Sequence, residues 1–193
     1  MEPTAGTSPE PVGEIQSSEI QSRIDEGRLY YRQREHERAL SALEAAYEQC
    51  KNQGDLRHMA EIANDLGVIH TVSNQWTEAE RRLNEAHNLF TNLQDYSGEA
   101  QALGNLGSMF RARGDLQQAA ANLQLAADKF HLMGDDERRA MTLKVLSMVQ
   151  LRQLRFLQAL AAYDAALACN PKPSAWTRFL RRILALPLKI ISG

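Results

Sequence analysis

Five histidines and two carboxylate clusters are the residues of this 193-residue chain whose types could do chemistry. His36, His58, His70, His87 and His131 are scattered; no two have HxxxH spacing and neither cysteine stands beside one, so the sequence offers no zinc ligand set. Asp25-Glu26 and Asp135-Asp136-Glu137 could pair as general acid and base, and a hydrolase working through Asp135 and Asp136 is the catalytic reading open to this sequence. Their places at turns and first helical turns read instead as caps that complement the helix dipole. There is no glycine-rich phosphate loop, and no Ser or Cys nucleophile has a visible base. The expectation is no catalysis, no cofactor and no metal.

Composition sets what must position any site. The chain is 44% apolar and 24% charged, which suits a folded domain with a real core. Its formal charge of −2 is unevenly spread: residues 1–171 carry 17 cations against 24 anions, and the rest carries five cations and no acid. An acidic body, and a basic end without interleaved Asn or Gln, argue against nucleic-acid binding. Cys50 and Cys169 lie far apart without a CxxC and read as reduced thiols of a cytosol-like compartment. The start has no secretory pattern, and no run of about 20 apolar residues could span a bilayer. All six prolines fall before Val12 or after Asn170, so the region between can be helical nearly throughout. Residues 1–16, rich in Pro, Gly, Thr and Ser, read as a flexible arm.

Self-similarity is the strongest signal. Gly27, Gly67, Gly107 and Ser147 recur every 40 residues, as do Ala39, Ala79, Ala119 and Ala159, and Ala46, Ala86, Ala126 and Ala166. Leu43, Leu83, Leu123 and Tyr163 fall between the alanine columns. Small residues at fixed places are what close approach of antiparallel helices requires. Each row reads as two amphipathic helices: Asp55 caps a helix to about Asn74, Thr77 with Glu80 has capping-box spacing, Ser97 starts a helix that stops at Gly114, and Asp115 caps the next.

These columns resemble the tetratricopeptide repeat family. Leu66-Gly67, His70, Ala79, Leu83 and Ala86 match its motif in one row, and Leu106-Gly107, Phe110, Ala119, Leu123 and Ala126 in the next, over roughly residues 20–171. The period of about 40 departs from the usual 34 and looks like the longer-helix variant of kinesin light chains. The resemblance implies an all-α, right-handed superhelical solenoid of about four antiparallel helix pairs over 17–171; residues 172–193 read separately as a C-terminal amphipathic helix. It implies a concave partner-binding groove lined by Ile24, Arg28, Tyr31 and Arg32, by Glu61, Asn64, Val68 and Thr71, by Gln101, Ser108 and Arg111, and by Met141, Lys144, Met148, Leu151 and Arg152. One glutamate among five cations there points to an acidic or carboxylate-terminated protein or peptide ligand.

The last segment has its own logic. On a helical projection Trp176, Phe179, Leu180, Ile183, Leu184, Leu186, Pro187, Leu188, Ile190 and Ile191 fill one arc of about 200°, and Arg178, Arg181, Arg182 and Lys189 fill the other. Ser174 supplies the N-cap. A polar face made only of cations is matched to an anionic membrane surface, where each cation contributes about 1 kcal/mol. The expected function is a non-catalytic adaptor or scaffold, tethered peripherally at the cytoplasmic face of a membrane and recruiting partner proteins. The alternative is a soluble regulatory or self-assembling module whose tail caps the solenoid or enters a neighbour's groove, giving homo-oligomers.

Overall fold

The computed structural model describes residues 12–170, 172–179 and 181–182, with side chains from residue 19 onward. Eight α-helices follow one another in the described residues: α1 Val12–Arg32, α2 His36–Gln53, α3 Leu56–Val72, α4 Trp76–Asn92, α5 Tyr96–Arg113, α6 Leu116–Leu132, α7 Asp136–Arg152 and α8 Phe156–Ala168. Each packs on the next, so the chain is an all-α solenoid of four helix pairs. α1 begins at Val12, inside the stretch expected as an arm; residues 1–11 lie outside the described residues.

The turns show a tighter rule than the sequence columns did. Arg34, Gly54, Asn74, Gln94, Gly114, Gly134 and Leu154 all have positive φ, one every twentieth residue. Around each, two backbone bonds close the preceding helix, as in Asn74 N to Thr71 O at 3.1 Å and Gln75 N to His70 O at 2.9 Å. This is the left-handed Schellman end. The residue after it is already the N-cap of the next helix, and at Asp55, Asp95, Asp115 and Asp135 the carboxylate accepts a backbone N–H three residues on. Two expectations change as a result. α4 is capped at Gln75 with no side-chain bond, which places Thr77 and Glu80 inside the helix and not in a capping box. α5 starts from Asp95, two residues before Ser97, because a two-residue turn leaves no room for a later start.

Packing explains the small columns. A Cβ on Gly27, Gly67 or Gly107 would lie 2.6, 2.5 or 2.6 Å from Cγ of Leu43, Leu83 or Leu123, so each leucine occupies the space a side chain would need. The fourth pair breaks the pattern in both partners at once. Ser147 donates to Ala159 O at 2.8 Å, and Tyr163, in the leucine column, is 37% exposed.

Backbones of α1 and α3, and of α3 and α5, approach one another more closely than those of the even helices. The odd helices therefore line the inner side of the solenoid. Across the outer side Arg82 of α4, buried, reaches Glu44 of α2 at 2.5 and 2.6 Å and lies over the Tyr47 ring at 4.7 Å. Cys50 and Cys169 are free and buried, and burial pushes the Cys50 thiol up to about 11. No described helix is long and apolar enough to cross a membrane, and no group of metal-ligating side chains occurs among the described residues.

Candidate partner-binding groove

The inner face is built from helix positions that the two-residue turns keep in register, and its chemistry changes along its length. At the α1–α3 end, Arg28 Nε donates to Asp65 Oδ2 at 2.7 Å, and Arg28 stands 3.6 Å from Glu61. This cation is satisfied internally, and Asp65, absent from the expected lining, supplies the compensation. Burial holds the Asp65 carboxyl above the usual range despite Arg28 beside it. Ile24, expected on the groove, is fully buried in the core with residues of α2 and α3 and offers no surface. Tyr31 is half-buried against the His36 ring, 6.0 Å between centroids, and Arg32 is exposed. Asn64 is buried and accepts from Asn105 Nδ2 at 2.8 Å, a bond that joins α3 to α5.

Between α3 and α5 lies a groove of about 460 Å³. Val68, Val72, Ala112 and Trp76 form its apolar lining, and Thr71, Asn74, Asn105, Ser108 and Arg111 place polar groups along it. Thr71 is already engaged, its hydroxyl donating to Gly67 O at 2.8 Å. Arg111 differs from Arg28. It makes no ion pair among the described residues, and its Nε is buried without a hydrogen-bond partner. A cation next to an indole and an amide, with donors to spare, can hold a carboxylate and an apolar side chain of one ligand together.

At the α7–α8 end Met141, Lys144, Met148, Leu151 and Arg152 are all exposed, and Gln101 is exposed on α5. Here the surface is an apolar recess of about 740 Å³ to which Phe156, Leu157, Leu160 and Tyr163 of α8 contribute. Trp76 and Phe156 were not expected in the lining. Both are first residues of second helices, 80 residues apart, a place the period marks once the turns are known. Asp65 lies four residues after Glu61 on the same face, which helical spacing alone identifies.

Beyond α8, residues 175–179 and 181–182 are helical, and Ser174 Oγ accepts Thr177 N–H at 3.1 Å as expected of a cap. Trp176 and Phe179 are 67% and 52% exposed, with ring centroids 5.6 Å apart. Arg178 and Arg182 are exposed too. Arg181 departs from the expectation of four cations turned to solvent, since its Nε donates to Asp164 of α8 at 3.0 Å. Leu180, Ile183, Leu184, Leu188, Lys189, Ile190 and Ile191 lie outside the described residues.

Two family models, each described as tetratricopeptide repeat, match residues 58–130 and 24–87. The chain belongs to the tetratricopeptide repeat family. A search of curated proteins finds no match. Among solved structures, the tetratricopeptide chain is similar to BtubC (BKLC) from P. vanneervenii, with a TM-score of 0.72 and 22% identity over 81% of this chain and 68% of that one. It is also similar to a kinesin light chain-like protein of Podosopora anserina with nearly identical TPR-like repeats, with a TM-score of 0.51 and 14% identity over 89% and 92% of the two chains. At these identities the likeness is one of fold. The tetratricopeptide repeats support a protein-interaction adaptor or scaffold role, with proteins or peptides as partners.

Proposed function

We propose that this tetratricopeptide chain is a non-catalytic adaptor that binds an acidic or carboxylate-terminated segment of a partner protein in the α3–α5 groove while its tail rests on an anionic membrane surface. The observation that carries the groove assignment is Arg111, whose Nε is buried without a partner beside Trp76 and Asn105, whereas Arg28 is already neutralised by Asp65. What supports the tail assignment is the exposed Trp176–Phe179 pair with exposed Arg178 and Arg182. An apolar surface with cations beside it suits a headgroup interface of negative charge. The mechanism is confinement: a scaffold held at a surface raises the effective concentration of partners held there too. The Arg181–Asp164 contact favours the second reading, in which the tail belongs to the solenoid of a soluble, self-assembling module.

The groove assignment is tested by selecting displayed random peptides on the full chain. Enriched peptides are expected to carry Asp, Glu or a free C-terminal carboxylate and to lose roughly 10-fold or more in affinity for Arg111→Glu, as removal of a charge-assisted contact predicts. Enrichment of basic peptides, or affinity indifferent to Arg111, rejects the assignment.

A further inference from the structure

The recess between α7 and α8 has a chemistry unlike the rest of the inner face. Met148, Leu151, Phe156 and Leu157 are 52, 47, 63 and 43% exposed, a contiguous apolar patch of a kind that soluble surfaces seldom carry without an interaction. The repeat explains how it arises. Val68, Thr71 and Trp76, 80 residues earlier than Met148, Leu151 and Phe156, form one wall of the α3–α5 groove, and α5 supplies the other. At α7–α8 the described residues supply the first wall alone.

Charge decides between occupants. No Asp or Glu lines the recess. Lys144 is part of its lining, Arg152 follows Leu151, and Arg155 precedes Phe156; all three are exposed and none makes an ion pair among the described residues. A second copy docking through the same patch would set these cations against their own counterparts. The residues that follow Arg182, ILALPLKIISG, bring Lys189 and no acid. An occupant that satisfies both features needs an apolar stripe with acids beside it.

We propose that the α7–α8 recess docks an amphipathic helix of a partner protein, whose large apolar residues at i, i+3, i+4 and i+7 fill the recess and whose flanking Asp or Glu residues pair with Lys144, Arg152 and Arg155. This rests on the chain being a protein-binding scaffold and adds a second site with its own ligand class. Helix-in-groove recognition takes its affinity from the apolar anchors and its choice of partner from the flanking charges.

The test uses two labelled synthetic peptides of about 18 residues, with leucines in that spacing and either Glu or Lys at the flanking positions, titrated into the full chain by fluorescence anisotropy. The Glu peptide is expected to bind about 10-fold or more tightly than the Lys peptide, and the component of its binding that Phe156→Glu and Leu151→Glu remove is expected to persist in Arg111→Glu, which weakens only binding at the α3–α5 groove. Lys144→Glu with Arg155→Glu should reverse the preference. Both substituted apolar positions are exposed, and circular dichroism of each variant, with Leu157→Gln as a milder substitution, checks that the helices remain. Equal affinity for the two peptides, no binding of either, or binding indifferent to Phe156 overturns the proposal. Loss with Arg111→Glu alone also overturns it, moves the ligand to the α3–α5 groove and leaves the scaffold reading intact. A concentration-dependent dimer in sedimentation that Phe156→Glu abolishes assigns the recess to a second copy. Higher affinity for both peptides after Ile190→Glu with Ile191→Glu assigns it to the chain's own tail. Flotation with anionic vesicles that Phe156→Glu removes assigns it to lipid.

Discussion

Individual residues carry both the weak points and the precision of this solenoid. Leu154 holds φ of 59° with its side chain 73% exposed, so it bears the strain of the left-handed turn with little burial in return. Leu154→Gly should raise stability by about 0.5–1 kcal/mol, seen as a higher denaturation midpoint, since relief of the strained φ outweighs the added freedom of the unfolded chain. Asp135 shows the opposite balance. The Arg138 N–H, at 2.9 Å, is the largest influence on its carboxyl and, with help from the Arg138 guanidinium, holds it below the usual range against the opposing push of burial. A depressed folded value means that its stabilisation is present above the unfolded carboxylate range and is lost as pH falls through the folded one. Asp135→Ala should therefore cost about 1 kcal/mol near neutral pH and progressively less in acid, measured by urea denaturation across a pH series. Aspartate after a turn glycine was legible in the sequence as a cap. Gln75 and Arg155 as caps were not, because neither side chain makes the bond that a capping preference records.

At the scale of elements, close approach of paired helices is what the small columns encode. Gly67→Ala places a methyl 2.5 Å from Leu83 Cγ and 3.2 Å from Leu83 N, so either the leucine leaves its rotamer or α3 and α4 move apart. A loss of about 2 kcal/mol or more follows from such overpacking. Gly54→Ala, at a turn with nothing within 4 Å, should cost about 1 kcal/mol through φ alone. Comparing the two denaturation curves separates crowding from backbone strain, and equal losses would mean that the helix contact is slack. The fourth pair shows why element scale matters. Ser147 and Tyr163 keep the 40-residue spacing but replace the glycine and leucine of the other pairs, and Tyr163 is 37% exposed where Leu43, Leu83 and Leu123 are buried.

The whole molecule combines an inner face on which Arg28 is neutralised by Asp65, while Arg111 and Lys144 make no ion pair among the described residues, with an end that exposes Trp176 and Phe179. For the tail, co-flotation of the full chain with vesicles should require anionic lipid, weaken with salt, and fall several-fold for Trp176→Glu with Phe179→Glu, because aromatic burial and cation attraction act together. Flotation unchanged by these substitutions, or absent with anionic vesicles, would reject membrane tethering and leave the tail to the solenoid through Arg181.

Period, helix content, helix pairing and the three Gly-Asp turns were readable from residue types, because turn chemistry, caps and the volume of a side chain at a close approach are local or strictly repeating demands. The tetratricopeptide columns around Leu66-Gly67 and Leu106-Gly107 are of that kind. Which inner-face residues are available to a ligand is another matter, since it depends on what stands across from each side chain. Ile24 is buried in the core, Arg28 was claimed by Asp65 from the next pair, and Arg181 by Asp164 from α8. Trp76 and Phe156 reached the inner face because the turns bring the start of a second helix beside the end of a first. Such pairings join residues 17 to 37 positions apart through the packing of helices, and a one-dimensional pattern carries the faces of those helices without the partners they meet.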